Sequence, residues 1–169
     1  FDFQMSTNYN VPAGPRTFDY AGPLLAGGRL YVTDRGFNRL LIWNSIPSSQ
    51  ADANLVIGQS SLTASAANAG GLSASSLSGP DGPPATDGTS LFVSDGQNHR
   101  VLVYNPIPTA NTPAASFALG QPNLQSSIPN PGGLSAGVLQ RPTGVLVTDI
   151  GVYVADNGNG RIVALPPAP

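Results

Sequence analysis

The residue types best suited to chemistry in this sequence recur at a constant spacing. Three aspartates lie 61 residues apart, and each is followed by an arginine five residues later. The pairs are Asp34 with Arg39, Asp95 with Arg100, and Asp156 with Arg161. An aspartate at a strand end accepts backbone N–H groups and closes a turn, and an arginine on the returning strand reaches its carboxylate. We therefore predict structural turn pairs, with a ring of ligand-binding groups as the alternative.

Other residues with catalytic potential are sparse. The chain has no cysteine and one histidine, His99, whose counterparts in the repeat are Asn38 and Gly160. A transition-metal site needs a cluster of ligands, and a serine nucleophile needs a base beside it. The sequence thus predicts no catalytic residue, no cofactor and no metal.

The composition narrows the class of partner. Of the 169 residues, 9% are charged, the net charge is −2 and the isoelectric point is near 4.9. These values argue against a basic surface for nucleic acid. No apolar run reaches the roughly 18 residues of a membrane helix, so no membrane insertion is expected. A surface with few charges and many Ser, Asn and Gly residues favours an extracellular or periplasmic, that is secreted, protein.

The pairs belong to a longer repeat. Three stretches align without gaps: LYVTDRGFNRLLIWN (30–44), LFVSDGQNHRVLVYN (91–105) and VYVADNGNGRIVAL (152–165). The flanks also repeat, as VIGQSSL (56–62) with ALGQPNL (118–124), and NAGGLSASSLSGP (68–80) with NPGGLSAGVLQRP (130–142). A period of this length is typical of a solenoid, a propeller or an array.

Each complete repeat predicts four short strands. In the first repeat they lie around 24–25 and at 30–34, 40–43 and 55–57, separated by turns that contain Gly, Asn or Pro. Four strands is the number in a propeller blade. The apolar runs are nearly continuous, as expected for sheets covered on both faces. We predict an all-β fold, a β-propeller with four-stranded blades, in which Trp43 and Tyr104 share a register and pack between blades.

The pattern Asp-x-Gly/Gln-x-x-Arg before an apolar strand, with Asn98, His99 and Arg100 in the middle copy, resembles the NHL repeat. The resemblance covers about residues 20–165, and the linking segments resemble the long loops of bacterial secreted NHL-repeat proteins. The first and third copies depart from the triplet. Some propellers of this kind are lyases or lactonases with a metal in the central channel, which is the alternative function. Asp81, Asp87 and Asp149 are then the candidate ligands, although they do not repeat in register.

The strand count gives three blades per chain, and the third lacks its outer strand. We predict that residues 1–4, where Phe1 and Phe3 alternate before Gln4, supply such a strand from the other end of a chain. Known propellers have about four to eight blades, so two chains are expected to pair about a twofold axis and complete six. The alternatives are a fragment of a longer propeller and a fibre of many copies.

The predicted organisation is a single propeller half-domain over residues 1–169. Its parts are a closing strand with lead-in (1–19), blade 1 with its long loop (20–80), blade 2 with its long loop (81–142) and blade 3 (143–169). The loops at 59–80 and 121–142 are polar and nearly uncharged, which favours hydrogen bonds to a protein or a glycan. The segment 156–160 predicts a type I′-like turn. The predicted function is a non-enzymatic scaffold for protein or glycan binding and for self-assembly as a homodimer, with a surface filament subunit as a further alternative.

Overall fold

The regular secondary structure consists almost entirely of short antiparallel strands, which confirms the all-β prediction. The computed structural model describes residues 12–166, so the predicted closing strand at Phe1, Phe3 and Gln4 lies outside the described residues. Within that range there are eleven strands: β1 (Ala21–Ala26), β2 (Arg29–Asp34), β3 (Arg39–Trp43), β4 (Leu55–Ile57), β5 (Ala85–Thr86), β6 (Leu91–Asp95), β7 (Arg100–Tyr104), β8 (Phe117–Leu119), β9 (Pro142–Thr148), β10 (Gly151–Asp156) and β11 (Arg161–Leu165).

The strands form three sheets, and each sheet keeps its strands in chain order. Sheet 1 contains β1–β4, sheet 2 contains β5–β8 and sheet 3 contains β9–β11. Short turns join most of these strands, and a longer connection joins the third strand to the fourth in sheets 1 and 2; each returns the chain beside the strand just completed. The sequence placed the second, third and fourth strands of sheet 1 within one residue of their observed bounds. Within residues 12–166, sheet 3 has no fourth strand beside β11.

The turn between the second and third strands places each aspartate opposite its arginine, as in the pairing of Asp95 with Arg100. In sheet 3, Asn157–Asn159 forms one turn of 3₁₀ helix before β11, and Gly160 follows it with a φ of 62°. The predicted type I′-like turn at 156–160 is therefore wrong. A type I′ turn needs two successive residues with positive φ, whereas only Gly160 has one here.

Neighbouring sheets pack face to face through apolar side chains. We call the face of a sheet toward the preceding sheet its front and the face toward the following sheet its back. The front of sheet 1 and the back of sheet 3 are the faces that point away from sheet 2. The back of sheet 1 packs on the front of sheet 2 through Tyr31, Leu40, Ile42, Val93, Leu102 and Tyr104, and the back of sheet 2 packs on the front of sheet 3 through Phe92, Val101, Val103, Val152, Val154 and Val163. Both faces of sheet 2 are thus buried, which explains its nearly continuous apolar strands.

A third apolar cluster covers the front of sheet 1. It contains Phe18 from the segment before β1, together with Val32, Leu41 and Trp43 from the sheet. The Phe18 and Trp43 ring centroids are 5.9 Å apart. Tyr104, the counterpart of Trp43, lies between sheets 1 and 2. Tyr104 therefore packs between two sheets, as the shared register predicted, whereas Trp43 packs against the segment before β1.

Candidate functional site: the aspartate–arginine niches and the back of sheet 3

We call the set of hydrogen-bond partners around each aspartate–arginine pair a niche. In sheet 2, three donors bind the carboxylate of Asp95. One oxygen, Oδ1, accepts the backbone N–H of Ser78 at 2.7 Å. The other, Oδ2, accepts Nε of Arg100 at 2.8 Å and Nδ2 of Asn98 at 2.7 Å. The Asp95 and Arg100 side chains are both fully buried. Such a carboxylate has no solvent-facing oxygen with which to bind a substrate or abstract a proton.

The Arg100 guanidinium connects the sheet to the two long loops. Its Nη2 donates to the carbonyl oxygens of Ser73 and Ser76, both at 3.0 Å, in the loop that precedes sheet 2. Its Nη1 donates to the carbonyl of Leu124, in the loop that follows sheet 2. A planar fork with five donors suits this task, because it can hold several fixed acceptors at once. The long loops therefore lie beside the Asp/Arg turns.

Sheet 1 repeats the niche with one substitution. Asp34 accepts the backbone N–H of Asp19 at 2.9 Å and Nε of Arg39 at 2.8 Å. Arg39 Nη2 donates to the carbonyls of Gly14 and Thr17. Where sheet 2 has Asn98, sheet 1 has Phe37, whose ring centroid lies 5.1 Å from the guanidinium carbon of Arg39. A cation–π contact thus replaces one hydrogen bond of the niche.

These contacts show that residues 14–19 are a further copy of the linking loop, which sequence reasoning missed. Phe18 occupies the position that Leu77 and Leu139 hold in the two later copies. The three side chains are each buried in a different apolar cluster. The backbone agrees, since Ala53 N–H donates to Pro15 as Ala115 N–H donates to Ala74. The sequence offered little signal, because the conserved feature is a set of carbonyl positions that many residue types can supply.

Sheet 3 has the same niche, but it is incomplete within the described residues. Asp156 accepts the backbone N–H of Gln140 at 2.7 Å, Nδ2 of Asn159 at 2.7 Å and Nε of Arg161 at 2.8 Å. Arg161 Nη2 donates to the carbonyls of Ser135 and Val138. Across residues 12–166, no acceptor corresponds to Leu62 or Leu124, which bind Nη1 in the other sheets.

Burial controls the acidity of the two enclosed carboxyls. Desolvation raises the pKa of Asp95, and the charge of Arg100 and the hydrogen bonds to the carboxylate oppose this rise. Desolvation likewise raises the pKa of Asp34, against the backbone N–H of Asp19 and the charge of Arg39. Both oxygens of each buried carboxylate already accept a hydrogen bond, so these groups serve as acceptors that join the sheet to the loop.

Most polar side chains of the long loops form hydrogen bonds within the protein. Asn68 and Asn98 exchange two amide hydrogen bonds, at 3.0 and 2.8 Å. Asn130 and Asn159 form the equivalent pair between the next loop and sheet 3. The Gln59 amide donates to the carbonyls of Asn38 and Ala66, and the Gln121 amide donates to those of His99 and Ile128. This internal bonding leaves fewer loop groups for a glycan or protein partner than the sequence suggested.

His99 and Asn38 occupy equivalent left-handed turn positions, with φ of 56° and 52°. Each side chain accepts a backbone N–H near the end of the long loop, just before the next repeat begins. Asn38 Oδ1 accepts from Gly79 at 2.8 Å, and His99 Nδ1 accepts from Arg141 at 3.1 Å. Desolvation, followed by the charge of Arg141, lowers the pKa of His99. His99 therefore accepts a hydrogen bond between two repeats, in the place that Asn38 has one repeat earlier.

The three aspartates proposed as metal ligands do not converge. Asp81 forms an ion pair with Arg35 at 3.3 Å and precedes β5. Asp87 lies at the other end of β5 and accepts hydrogen bonds from its own turn. Asp149 lies in the exposed turn between β9 and β10. In the described part of the chain, no three His, Cys, Asp or Glu residues form a group that could hold a metal.

The back of sheet 3 is an exposed apolar face. Leu146 and Ile162 are 60% and 67% exposed, and Tyr153 lies between them, half-buried and paired with Leu146 in the sheet register. The corresponding residues of the other sheets are Leu24, Tyr31 and Leu40 in sheet 1 and Ala85, Phe92 and Val101 in sheet 2. All six pack in the interfaces between sheets.

Comparison of the chain with known protein families and with curated proteins gave no match. Among residues 12–166, no helix is long and apolar enough to cross a membrane.

Proposed function

We propose that this chain is a non-enzymatic scaffold, an NHL-type β-propeller half whose three blades are sheets 1, 2 and 3. In this proposal two copies pair and complete a ring of six blades. The supporting observation is the exposed back of sheet 3, where Leu146 and Ile162 face solvent although their counterparts in sheets 1 and 2 are buried by a following sheet. An apolar face of this kind on an otherwise polar protein marks an interaction surface.

The pairing is head to tail at each contact and twofold overall. The back of sheet 3 in one copy would meet the front of sheet 1 in the other, and the reverse contact would close the ring. On the front of sheet 1, Phe18 already packs where Leu77 and Leu139 pack between sheets, so it can stay in place. Leu41 and Trp43 of this face are already buried in the single chain, so in this proposal the second copy contacts the face through its present cover, which includes Phe18.

The niches support a structural role for the polar residues. Asp34 and Asp95 are buried and bonded to arginine and to backbone N–H groups, which makes them constituents of the sheet-to-loop junction. A lyase or lactonase with a channel metal is not favoured by any geometry among residues 12–166, since Asp81 and Asp87 lie at opposite ends of β5. The low charge of the chain is the support for a secreted location.

Native mass tests the proposal. Light scattering on the eluting chain should give twice its mass of 17.2 kDa. Ile162→Lys should give the single-chain mass, because a charge would be buried in the paired face. Ile46→Lys, at an exposed apolar position after β3, is the matched control and should still pair.

A chain that stays single at every concentration would contradict the pairing. A mass that grows without limit would instead support the filament alternative, because a head-to-tail contact that does not close produces an open array.

A further inference from the structure

We infer that the edge of β11 is a strand-acceptor site for an extended peptide of the pattern apolar-x-apolar-Gly-Gln-x-x-Leu. This site rests on the proposed function, because it lies where the fourth strand of blade 3 would join. It defines the chemistry of the partner segment more narrowly than the pairing of two apolar faces does.

The two complete sheets show what such an edge binds. In sheet 1, β4 pairs with β3 so that Ile57 lies opposite Leu40 and Leu55 lies opposite Ile42. In sheet 2, Leu119 lies opposite Val101 and Phe117 lies opposite Val103. The same register on β11 would place the two apolar residues of an incoming strand beside Ile162 and Ala164, on the exposed back of sheet 3.

Two polar groups of sheet 3 match the residues that follow the strand. Gln59 and Gln121 each donate to the carbonyl of the left-handed turn residue, which in sheet 3 is Gly160. No side chain of residues 12–166 donates to the Gly160 carbonyl. The leucine three residues after each glutamine offers its carbonyl to Nη1 of the niche arginine, the group that finds no equivalent acceptor at Arg161. The site therefore offers a backbone edge, a carbonyl for glutamine and a guanidinium for a carbonyl.

The glycine of the pattern follows from backbone geometry. Gly58 and Gly120 have φ of 88° and 87°, which side-chain-bearing residues rarely adopt. In addition, a Cβ on Gly120 would lie 2.6 Å from Cγ of Leu139. Residues 1–4 match the apolar positions but have Gln4 in place of this glycine. We therefore commit to an extended strand with the pattern of residues 117–124 as the occupant, and expect residues 1–4 of a second copy to bind more weakly.

A labelled peptide of residues 117–128, titrated into the full chain by fluorescence anisotropy, tests the site. It should bind saturably, and exchanging the residues at positions 117 and 118 should abolish binding by turning the phenylalanine to the wrong face. Gln121→Leu in the peptide should weaken binding about tenfold, because one buried hydrogen bond is lost. A peptide of residues 1–12 should bind more weakly still, by more than about tenfold, because it has Gln4 at the glycine position and Met5 at the glutamine position.

On the protein, Ile162→Lys should abolish peptide binding, whereas Ile46→Lys should leave it unchanged. Absence of saturable binding by residues 117–128, or equal binding by the exchanged peptide, would overturn the site. Tighter binding of residues 1–12 would overturn the glycine requirement and identify the second copy's first residues as the occupant. The proposed pairing fails separately, since a chain that binds the peptide yet stays single in mass keeps the site and loses the pairing.

Discussion

Sheets 2 and 3 carry the same signature residues in different surroundings. In sheet 2 the Arg100 side chain is fully buried and Val101 beside it is 0% exposed, whereas Arg161 and Ile162 of sheet 3 are 27% and 67% exposed. The local geometry is the same, because the distance from the arginine Nε to the aspartate Oδ2 is 2.8 Å in both sheets. The difference comes from the following repeat, which covers sheet 2 and is absent from the described residues after sheet 3. Each repeat thus supplies its own aspartate–arginine pair, and the following repeat buries that pair from solvent.

The largest effect is expected when the arginine of a fully buried ion pair is removed. Arg100→Met should destabilise the chain by about 3–5 kcal/mol, because it leaves the buried Asp95 carboxylate without its cation. Arg161→Met should cost less by at least about 1 kcal/mol, since water reaches the more exposed niche and screens its charges. The measurement is the free energy of unfolding in urea for both variants. Equal losses would show that the neighbouring repeat does not strengthen the niche.

The second contrast concerns one apolar position in two sheets. Leu40→Ala should cost about 2–5 kcal/mol, because it opens a cavity between sheets 1 and 2. Ile162→Ala, the equivalent change in sheet 3, should alter the unfolding free energy of the unpaired chain by less than about 0.5 kcal/mol. Thermal unfolding at low protein concentration separates the two. If the Ile162→Ala loss grows with protein concentration, a partner covers this face, as the proposed pairing requires.

The sequence predicted the repeating parts of this structure better than the connecting parts. The strands of sheet 1 and the Asp34–Arg39 opposition follow from apolar runs and turn residues, which are local signals. The loop copy at 14–19 was missed because its function is carried by carbonyl oxygens, which any residue type supplies. The role of His99 as an acceptor toward Arg141 was also missed, since it depends on the packing of one repeat on the next.

A smaller effect concerns pH. The stability of the junction between sheets 2 and 3 should depend on pH through His99, whereas the junction between sheets 1 and 2 has the non-titrating Asn38 in its place. The folded-state pKa of His99 is lowered, so the unfolded chain binds more protons as the pH falls below the ordinary value of about 6.5. The contribution of His99 is therefore complete above that value and is lost as the pH falls through the folded-state pKa. Protonation of Nδ1 also removes the acceptor for the N–H of Arg141.

Urea unfolding at about pH 7.5 and about pH 5.5 measures this loss as a lower free energy of unfolding at the lower pH. His99→Asn copies the Asn38 junction, which has a neutral amide and a left-handed backbone, and should remove most of the difference between the two pH values. Arg141→Gln should reduce it in part, because the nearby positive charge also lowers the pKa. An unchanged pH dependence in His99→Asn would assign the effect to other groups.

The smallest expected effect compares the aromatic residues that share a register. Trp43 donates its ring N–H to the carbonyl of Ala51 at 2.9 Å, whereas the buried hydroxyl of Tyr104 has no hydrogen-bond partner among the described residues. Removing a buried polar group that makes no bond relieves its desolvation, so Tyr104→Phe should be neutral or stabilise the chain by up to about 1 kcal/mol. Urea unfolding measures the change, with Tyr31→Phe as a control at the same interface. A clear loss of stability on Tyr104→Phe would mean that the hydroxyl is bonded in solution, and the packing between sheets 1 and 2 would then include a polar contact.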